Sequence, residues 1–199
     1  MQKKQKTDSD YKYRFDLHMH SFYSDGTEAP KDIVEHIAKN KLLEGFSLTD
    51  HDNFRGLAEA RAAARKHGLI CLPGVEITTE LGDIIAVGIE EIPKWKSVED
   101  LVDKIKAQGA VAIGAHPHYS RFKGMPRLLK KFDAVEIYNA TTAFEYNAEA
   151  MELAKAEKLL GVAVSDSHVM EMAARAWTSA KHPDIITAIK KGEIRIGWL

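Results

Sequence analysis

The stretch Tyr13–Pro30, YRFDLHMHSFYSDGTEAP, carries His18 and His20 two residues apart in an apolar-polar alternation, with Asp25 five residues further on. Alternation at period two marks a strand with one buried face. On an extended strand, residues i and i+2 point to the same side about 6.6 Å apart, near the distance at which two imidazoles converge on one ion.

Working outward, the β-branched runs EGFSLTD, LICLPGVEITT, DIIAVGI, GAVAIGAHP, DAVEIYN and GVAVSDS follow this first one. Amphipathic stretches lie between several of them: Pro30–Lys39, with Ile33, Val34, Ile37 and Ala38 on one face; the Ala-rich Phe54–His67; Val98–Gln108, opened by Ser97 with Glu99 and Asp100 in its first turn; and Glu145–Glu157. Their helical period and N-terminal capping chemistry predict helices, and strands alternating with helices predict a mostly parallel sheet. About seven strands in one domain make a closed or distorted α/β barrel more economical than an open sheet, although periodicity alone leaves both open. IEEIPKWKSVED, broken by Pro93, reads as a surface loop, and no repeat, low-complexity segment or interdomain linker is visible.

The 199 residues suffice for one domain with a sizeable core, expected over residues 13–199 after a frayed polar lead-in, 1–12. Lys and Arg number 28 against 29 Asp and Glu, so the net charge of −1 lends no support to a whole-protein nucleic-acid or membrane footprint and leaves only local basic patches open. The single cysteine, Cys71, excludes an intramolecular disulfide and reads as a buried, inert thiol. No apolar signal core or bilayer-length run is present, and a cytoplasmic location is expected.

Two further strand ends repeat the i, i+2 arrangement: His116 with His118 in AHPHYS, and Asp166 with His168 in SDSHV. His51 in LTDHDN and Glu76 in PGVEIT also fall at C-terminal strand ends, where α/β proteins gather their active sites. A lone histidine is more often a cap or a satisfied core residue than a ligand, so His36, His67 and His182 receive no role. The coincidence of the others is another matter, because burying five imidazoles and several carboxylates together without an ion carries a large desolvation cost. Asp50 and Asp52, flanking His51, read as groups that orient or cap, and Tyr138 and Asn139 as ordinary packing.

DLHMHSFYSDG, LTDHDN, PGVEI, AHP and SDSH, in this order and at these intervals, resemble the motif set of the PHP family, the polymerase and histidinol phosphatase superfamily of metal-dependent phosphoesterases. The resemblance runs from Arg14 onward, and it implies a distorted seven-stranded β/α barrel. It also implies two or three divalent ions, Mn, Zn or Fe, at neighbouring positions. The first would use His18, His20, Glu76 and Asp166; the second would share Glu76 as a bridge with His116; the third would use Asp25, His51 and His168. Where relatives often carry a histidine in the strand after the GVE motif, this chain has Asp83, a harder donor that shifts metal preference. His118 matches no ligand position and reads as a group on the substrate side.

Five neutral imidazoles with Asp25, Glu76, Asp83 and Asp166 leave a surplus of positive charge against three divalent ions, which suits an anionic substrate. The expected function is hydrolysis of a phosphate monoester or diester by metal-activated hydroxide, with a nucleotide, an oligonucleotide end or a small phosphorylated metabolite as substrate. Arg121, just past a ligand strand, and Arg175, after SDSH, are the candidate phosphate clamps. Two alternatives use the same residues: amidohydrolase-like cleavage of a C–N or C–O bond, and a non-catalytic metal-stabilised module binding a nucleotide or a protein. Glu76 and His116 are 40 positions apart, too close for the long lid some relatives insert, so an uncovered barrel mouth is expected. No membrane partner and no nucleic-acid partner beyond a substrate is expected, and oligomeric state is not legible.

Overall fold

Each period-two run forms a strand, and the strands lie side by side in chain order. The computed structural model describes residues 10–118 and 121–199, apart from the side chains of residues 121 and 122. The seven expected strands are β1 (Tyr13–Asp16), β2 (Gly45–Leu48), β3 (Ile70–Thr79), β4 (Gly82–Val87), β5 (Val111–Gly114), β6 (Ala134–Asn139) and β7 (Gly161–Val164). Two more, β8 (Ala176–Ala180) and β9 (Ile194–Trp198), continue the sheet from the free edge of β1, giving the order β7-β6-β5-β4-β3-β2-β1-β8-β9.

The sheet curls into a nearly closed barrel because the segments beyond β1 and β7 meet. Met19 bridges Ser167 in parallel, the Asp166 N–H donates to the His18 carbonyl, and the His20 N–H donates to the Ser167 carbonyl, both at 2.9 Å. Below them the buried Asp16 carboxylate accepts from the N–H groups of Ser165 (3.0 Å) and Ala174 (3.1 Å), tying β1 to the end of β7 and the loop after it. The mostly parallel sheet expected from the alternation is in fact mixed: β3 pairs antiparallel with β4, β4 with β5, β1 with β8 and β8 with β9. Only residues 80–81 join β3 to β4, which is a hairpin connection and leaves no room for a crossover helix.

The expected helices are α1 (Pro30–Asn40), α2 (Leu57–His67), α3 (Val98–Ala107) and α5 (Phe144–Glu157); the short α4 (Pro126–Leu129) and α6 (Ile185–Lys191) span too few turns to print a helical period. Ser97 caps α3 by accepting from the Asp100 N–H at 3.2 Å. On α1, Ile33, Val34 and Ile37 pack with Ala60, Ala63 and Ala64 of α2 over Phe46 and Met19. Leu101, Val102 and Ile105 of α3 cover Ile84 and Ala86 of β4. A second core joins Phe15, Leu17, Ile85, Val111, Ile113, Val162 and Val164 with Ile185 and Ile189 of α6. Truncating a fully buried ring such as Phe15 to alanine costs about 3–5 kcal/mol. Cys71 is half-buried in β3, and burial pushes its thiol up to about 11, the inert state expected of it. Among the described residues no helix is long and apolar enough to cross a membrane.

Candidate metal centre

The polar residues of the interior collect at the C-terminal strand ends. His18 and His20 lie on the segment just beyond β1, His51 just beyond β2, Glu76 in β3, His116 beyond β5, and Asp166 and His168 beyond β7. His18 Nε2 is 3.0 Å from Glu76 Oε2, 3.3 Å from Asp166 Oδ1 and 2.9 Å from His20 Nε2. His20 Nε2 is 3.1 Å from Glu76 Oε2 and 3.4 Å from Asp166 Oδ1. On one flank His116 Nε2 stands 3.2 Å from Glu76 Oε1. On the other, Asp25 Oδ2 is 3.1 Å from His168 Nε2 and 3.6 Å from His51 Nε2, which is itself 3.4 Å from Glu76 Oε2. Asp25 reaches His20 because the chain turns sharply after it: the Gly26 N–H donates to the Ser21 carbonyl, and a Cβ on Gly26 would fall 2.5 Å from the His20 carbonyl oxygen.

Hydrogen bonds at the far ring nitrogens fix which atoms face inward. His18 Nδ1 donates to Glu136 Oε1 at 2.7 Å and His168 Nδ1 to the Asp166 carbonyl at 3.0 Å, so in the neutral rings Nε2 keeps a lone pair aimed into the cluster. His20 Nδ1 faces Ser24 Oγ at 3.3 Å, and Ser24 donates to Asp50 at 2.9 Å. With the rings neutral, as an ion requires them, lone pairs and carboxylate oxygens thus converge on the same space. Glu76 Oε1 and Asp166 Oδ1 are buried without a hydrogen-bond donor. Unsatisfied buried carboxylate oxygens are costly, and a cation is the group that satisfies them. Four donor sets lie within 4.8 Å internally: His18, His20 and Asp166; His18, Glu76 and His116; His20, His51 and Glu76; and His20, Asp25 and His168. The side chains therefore fit divalent ions, with Glu76 in two sets, where a bridging carboxylate belongs.

The electrostatics tell the same story. Burial works against a charged His18, but Asp166, Glu76 and Glu136 outweigh it and hold the imidazole well above its usual range; His20 is raised in the same way. His116 is pushed up to about 9, the attraction of Glu76 and Glu136 overcoming burial. Glu76, Asp25 and Asp166 are all lowered by the imidazoles against the effect of burial. Asp83 goes the other way, raised by burial and by the nearby Glu76. Protons hold the metal-free cluster together where an ion would otherwise do so. His116 (φ 26°) and Asp166 (φ 52°) also sit in left-handed backbone, a conformation that favours glycine and persists where the surroundings demand it.

Asp83 borders the same cleft, about 290 Å³ in volume, but belongs to none of the four sets among the described residues. His118 turns away from that cleft, stacks on Tyr146 with ring centroids 4.9 Å apart, and lines an adjoining cleft with Lys123 and Glu149. Arg175 is exposed, donates to the Glu171 carbonyl at 2.9 Å and does not line the metal cleft. Arg121 opens a short 3₁₀ turn, and its side chain lies outside the described residues. Asp50 accepts from the Ser21 N–H (2.7 Å) and from Ser24, pinning the turn that carries Asp25, and Asp52 accepts from the Thr78 N–H at 3.2 Å. Tyr138 is a packing residue, its ring 4.2 Å from that of Trp198. Asn139 corrects the packing expectation: it donates to Asp166 Oδ2 at 2.9 Å and to Glu136 Oε2 at 3.1 Å.

Glu136 itself escaped sequence reasoning. It is 1% exposed, accepts from His18 Nδ1, and accepts from the His116 N–H at 2.9 Å. The available signal was a carboxylate in the middle of the strand run DAVEIYN.

The PHP domain profile matches residues 16–91 and the PHP-associated profile matches residues 144–194. An uncharacterized protein of Methanocaldococcus jannaschii is 36% identical over 139 residues, covering 63% of this chain and 81% of that protein. The 3',5'-nucleoside bisphosphate phosphatase of Chromobacterium violaceum is 40% identical over 79 residues, 38% of this chain and only 27% of the phosphatase. In fold, the chain is similar to a two-domain protein of Bacteroides vulgatus containing predicted PHP-like metal-dependent phosphoesterase, at TM-score 0.78 and 21% identity, covering 95% of this chain and 66% of that one.

Proposed function

Because the chain belongs to the PHP family, we propose that it is a metal-dependent phosphoesterase acting on a phosphate monoester or diester of a nucleotide, an oligonucleotide end or a small metabolite. The observation that carries this reading is the pair of buried, donorless carboxylate oxygens, Glu76 Oε1 and Asp166 Oδ1, among inward-facing imidazole nitrogens. His18, His20, Glu76 and Asp166 would hold one ion, Glu76 with His116 and Asp83 a second, and Asp25, His51 and His168 a third. Such ions supply Lewis acidity toward a phosphoryl group and make water nucleophilic near neutral pH.

The chain's own residues do the positioning. Glu136 locks the orientation of His18 and anchors the His116 backbone, so one carboxylate braces two neighbouring donors. Asn139 and Thr141 both donate to Asp166 Oδ2, at 2.9 and 3.2 Å, which leaves Oδ1 as the free donor atom. No serine, threonine or cysteine nucleophile is required. The relative named as a nucleoside bisphosphate phosphatase supports a phosphate ester as substrate class.

Elemental analysis combined with hydrolysis of p-nitrophenyl phosphate and bis-p-nitrophenyl phosphate tests the proposal. Bound divalent metal, activity on at least one ester, loss on chelation and recovery with Mn²⁺ are expected. Full activity in metal-free protein, or metal-loaded protein inert toward both esters, overturns it.

A further inference from the structure

Away from the cleft, the outward face of β1, β8 and β9 carries the cations Arg14, Lys181 and Arg195, with the acids Asp10, Glu44, Asp184 and Glu193 at its margins. The strand register sets Arg14, Ser179 and Arg195 abreast, with Trp177 beside Gly197 in the neighbouring row. Side chains alternate along strands, so this face also receives Lys181 from just after β8, while Phe15, Thr178, Ala180 and Ile194 are buried on the other side; the Lys12 ammonium lies instead 5.1 Å from the Tyr13 ring centroid. Aromatic rings interleave with the cations. The Tyr11 ring has the Arg195 guanidinium 4.6 Å and the Lys181 ammonium 5.2 Å from its centroid, and Trp177 has Arg14 at 5.5 Å. Trp177 lies against Gly197, where a Cβ would come within 2.6 Å of the indole.

Neither guanidinium forms an ion pair among the described residues, although the Glu44 carboxylate accepts from the Arg14 backbone N–H at 2.7 Å. Among the described residues the Arg14 guanidinium bonds only the Leu42 carbonyl, at 3.5 Å, and that of Arg195 only the Ile194 carbonyl, at 2.9 Å. Lys181 has an exposed partner, Asp10, at 3.5 Å. Tyr11 walls two clefts, one of about 160 Å³ bounded by Arg14, Trp177 and Arg195 with no acid in its lining, and one of about 430 Å³ in which Lys181 and Lys191 are balanced by Asp184 and Glu193.

We propose that this face is an exosite for single-stranded nucleic acid, with Arg14, Lys181 and Arg195 contacting phosphates and bases stacking on the guanidinium–aromatic layers. Charge and shape together choose the occupant: unpaired cations call for a polyanion, and flat cation–ring layers suit bases, which an acidic peptide lacks. Arg14 precedes His18 by four residues on the same extended segment, a rise of about 13 Å, so a strand held here lies within reach of the cleft. Binding at this face stands apart from hydrolysis, whereas the idea that the bound strand is a substrate rests on the phosphoesterase reading.

Fluorescence anisotropy with a fluorescein-labelled twenty-nucleotide oligothymidylate, run on metal-loaded protein beside p-nitrophenyl phosphate hydrolysis, tests this. The exposed pair Lys181→Ala with Arg195→Ala should weaken binding about tenfold in low salt and flatten the salt slope by about 1.4, leaving monoester hydrolysis unchanged. Unchanged affinity and slope overturn the exosite. So does loss of binding in Glu76→Ala alone, or displacement by polyglutamate of equal length as effectively as by unlabelled oligonucleotide. Strand binding that behaves as expected in a protein inert toward esters supports the exosite and removes the phosphoesterase reading.

Discussion

The two halves of the donor cluster are built differently. His18, His20, Glu76 and Asp166 are 0, 1, 1 and 7% exposed; the first two and Asp166 lie on segments hydrogen-bonded to one another where the barrel closes, and Glu76 lies within β3. Asp25, His51 and His168 have side chains 51, 32 and 37% exposed, on turns beyond the strand ends. In the inner half an uncompensated charge has no water to turn to, so each donor depends on its neighbours. In the outer half solvent shares the load. The inner residues therefore bear on the fold as well as on any ion they would hold, and the outer ones far less on the fold.

Glu76→Ala should break this arrangement most severely. It removes the carboxylate facing His18, His20, His51 and His116, so metal-free protein should lose about 3–5 kcal/mol in denaturant melts. More than one metal equivalent per chain should go with it in elemental analysis. Loss of one equivalent with unaltered stability would show that the halves do not differ as described.

Glu136→Gln comes next, although Glu136 faces no open space in the cleft. Freeing the His18 ring should lower metal affinity about 10–100-fold, read by competition with a chromophoric chelator. Retained affinity would mean that packing alone orients the ring.

The third test uses pH. His18, His20 and His116 titrate above their ordinary 6.5 in the folded chain, His116 at about 9. A raised folded pKa contributes stability that is fully present below the unfolded value and is lost as pH rises through the folded one. Metal-free protein should therefore melt progressively lower between about pH 6.5 and 9. Metal binding displaces those protons, so the gap between loaded and metal-free melting temperatures should widen over the same window. Parallel melting curves would count against the shared cluster.

Smaller effects sharpen the comparison from the other side. His168→Ala should empty the outer position, yet leave metal-free stability within about 0.5 kcal/mol, the range of exposed substitutions. Arg175→Ala, at an exposed residue that does not line the cleft, should leave stability and KM unchanged within error. A marked rise in KM would return Arg175 to the phosphate.

Legibility in the sequence followed the range of each interaction. His18 with His20, and Asp166 with His168, stood out because strand geometry relates neighbours two positions apart. Ser97 announced α3 for the same local reason. Glu136 did not stand out, since its partner His18 is 118 residues away and a carboxylate inside an apolar run carries no label for its distant partner. Asn139, judged a packing residue, bonds Asp166 across 27 positions. β8 was hidden because its apolar partners are small alanines with a threonine, AWTSA, and it takes its place only by pairing with β1.

The sequence by itself determined the strands β1–β7, four of the helices, most of the residues that gather in the cluster and, through its motif order, the family and barrel class. These rest on short-range periodicity and on side-chain chemistry, which a chain displays before it folds. Tertiary structure alone decided that β1 meets β7 through Met19 and Ser167, that Glu136 and Asn139 brace the cluster, that Asp83 stands apart from the tight donor sets, and that Arg14 and Arg195 share one face. Each of these joins residues far apart in the chain. Such contacts become favourable only when many others have already closed the intervening loops, so no local pattern records them.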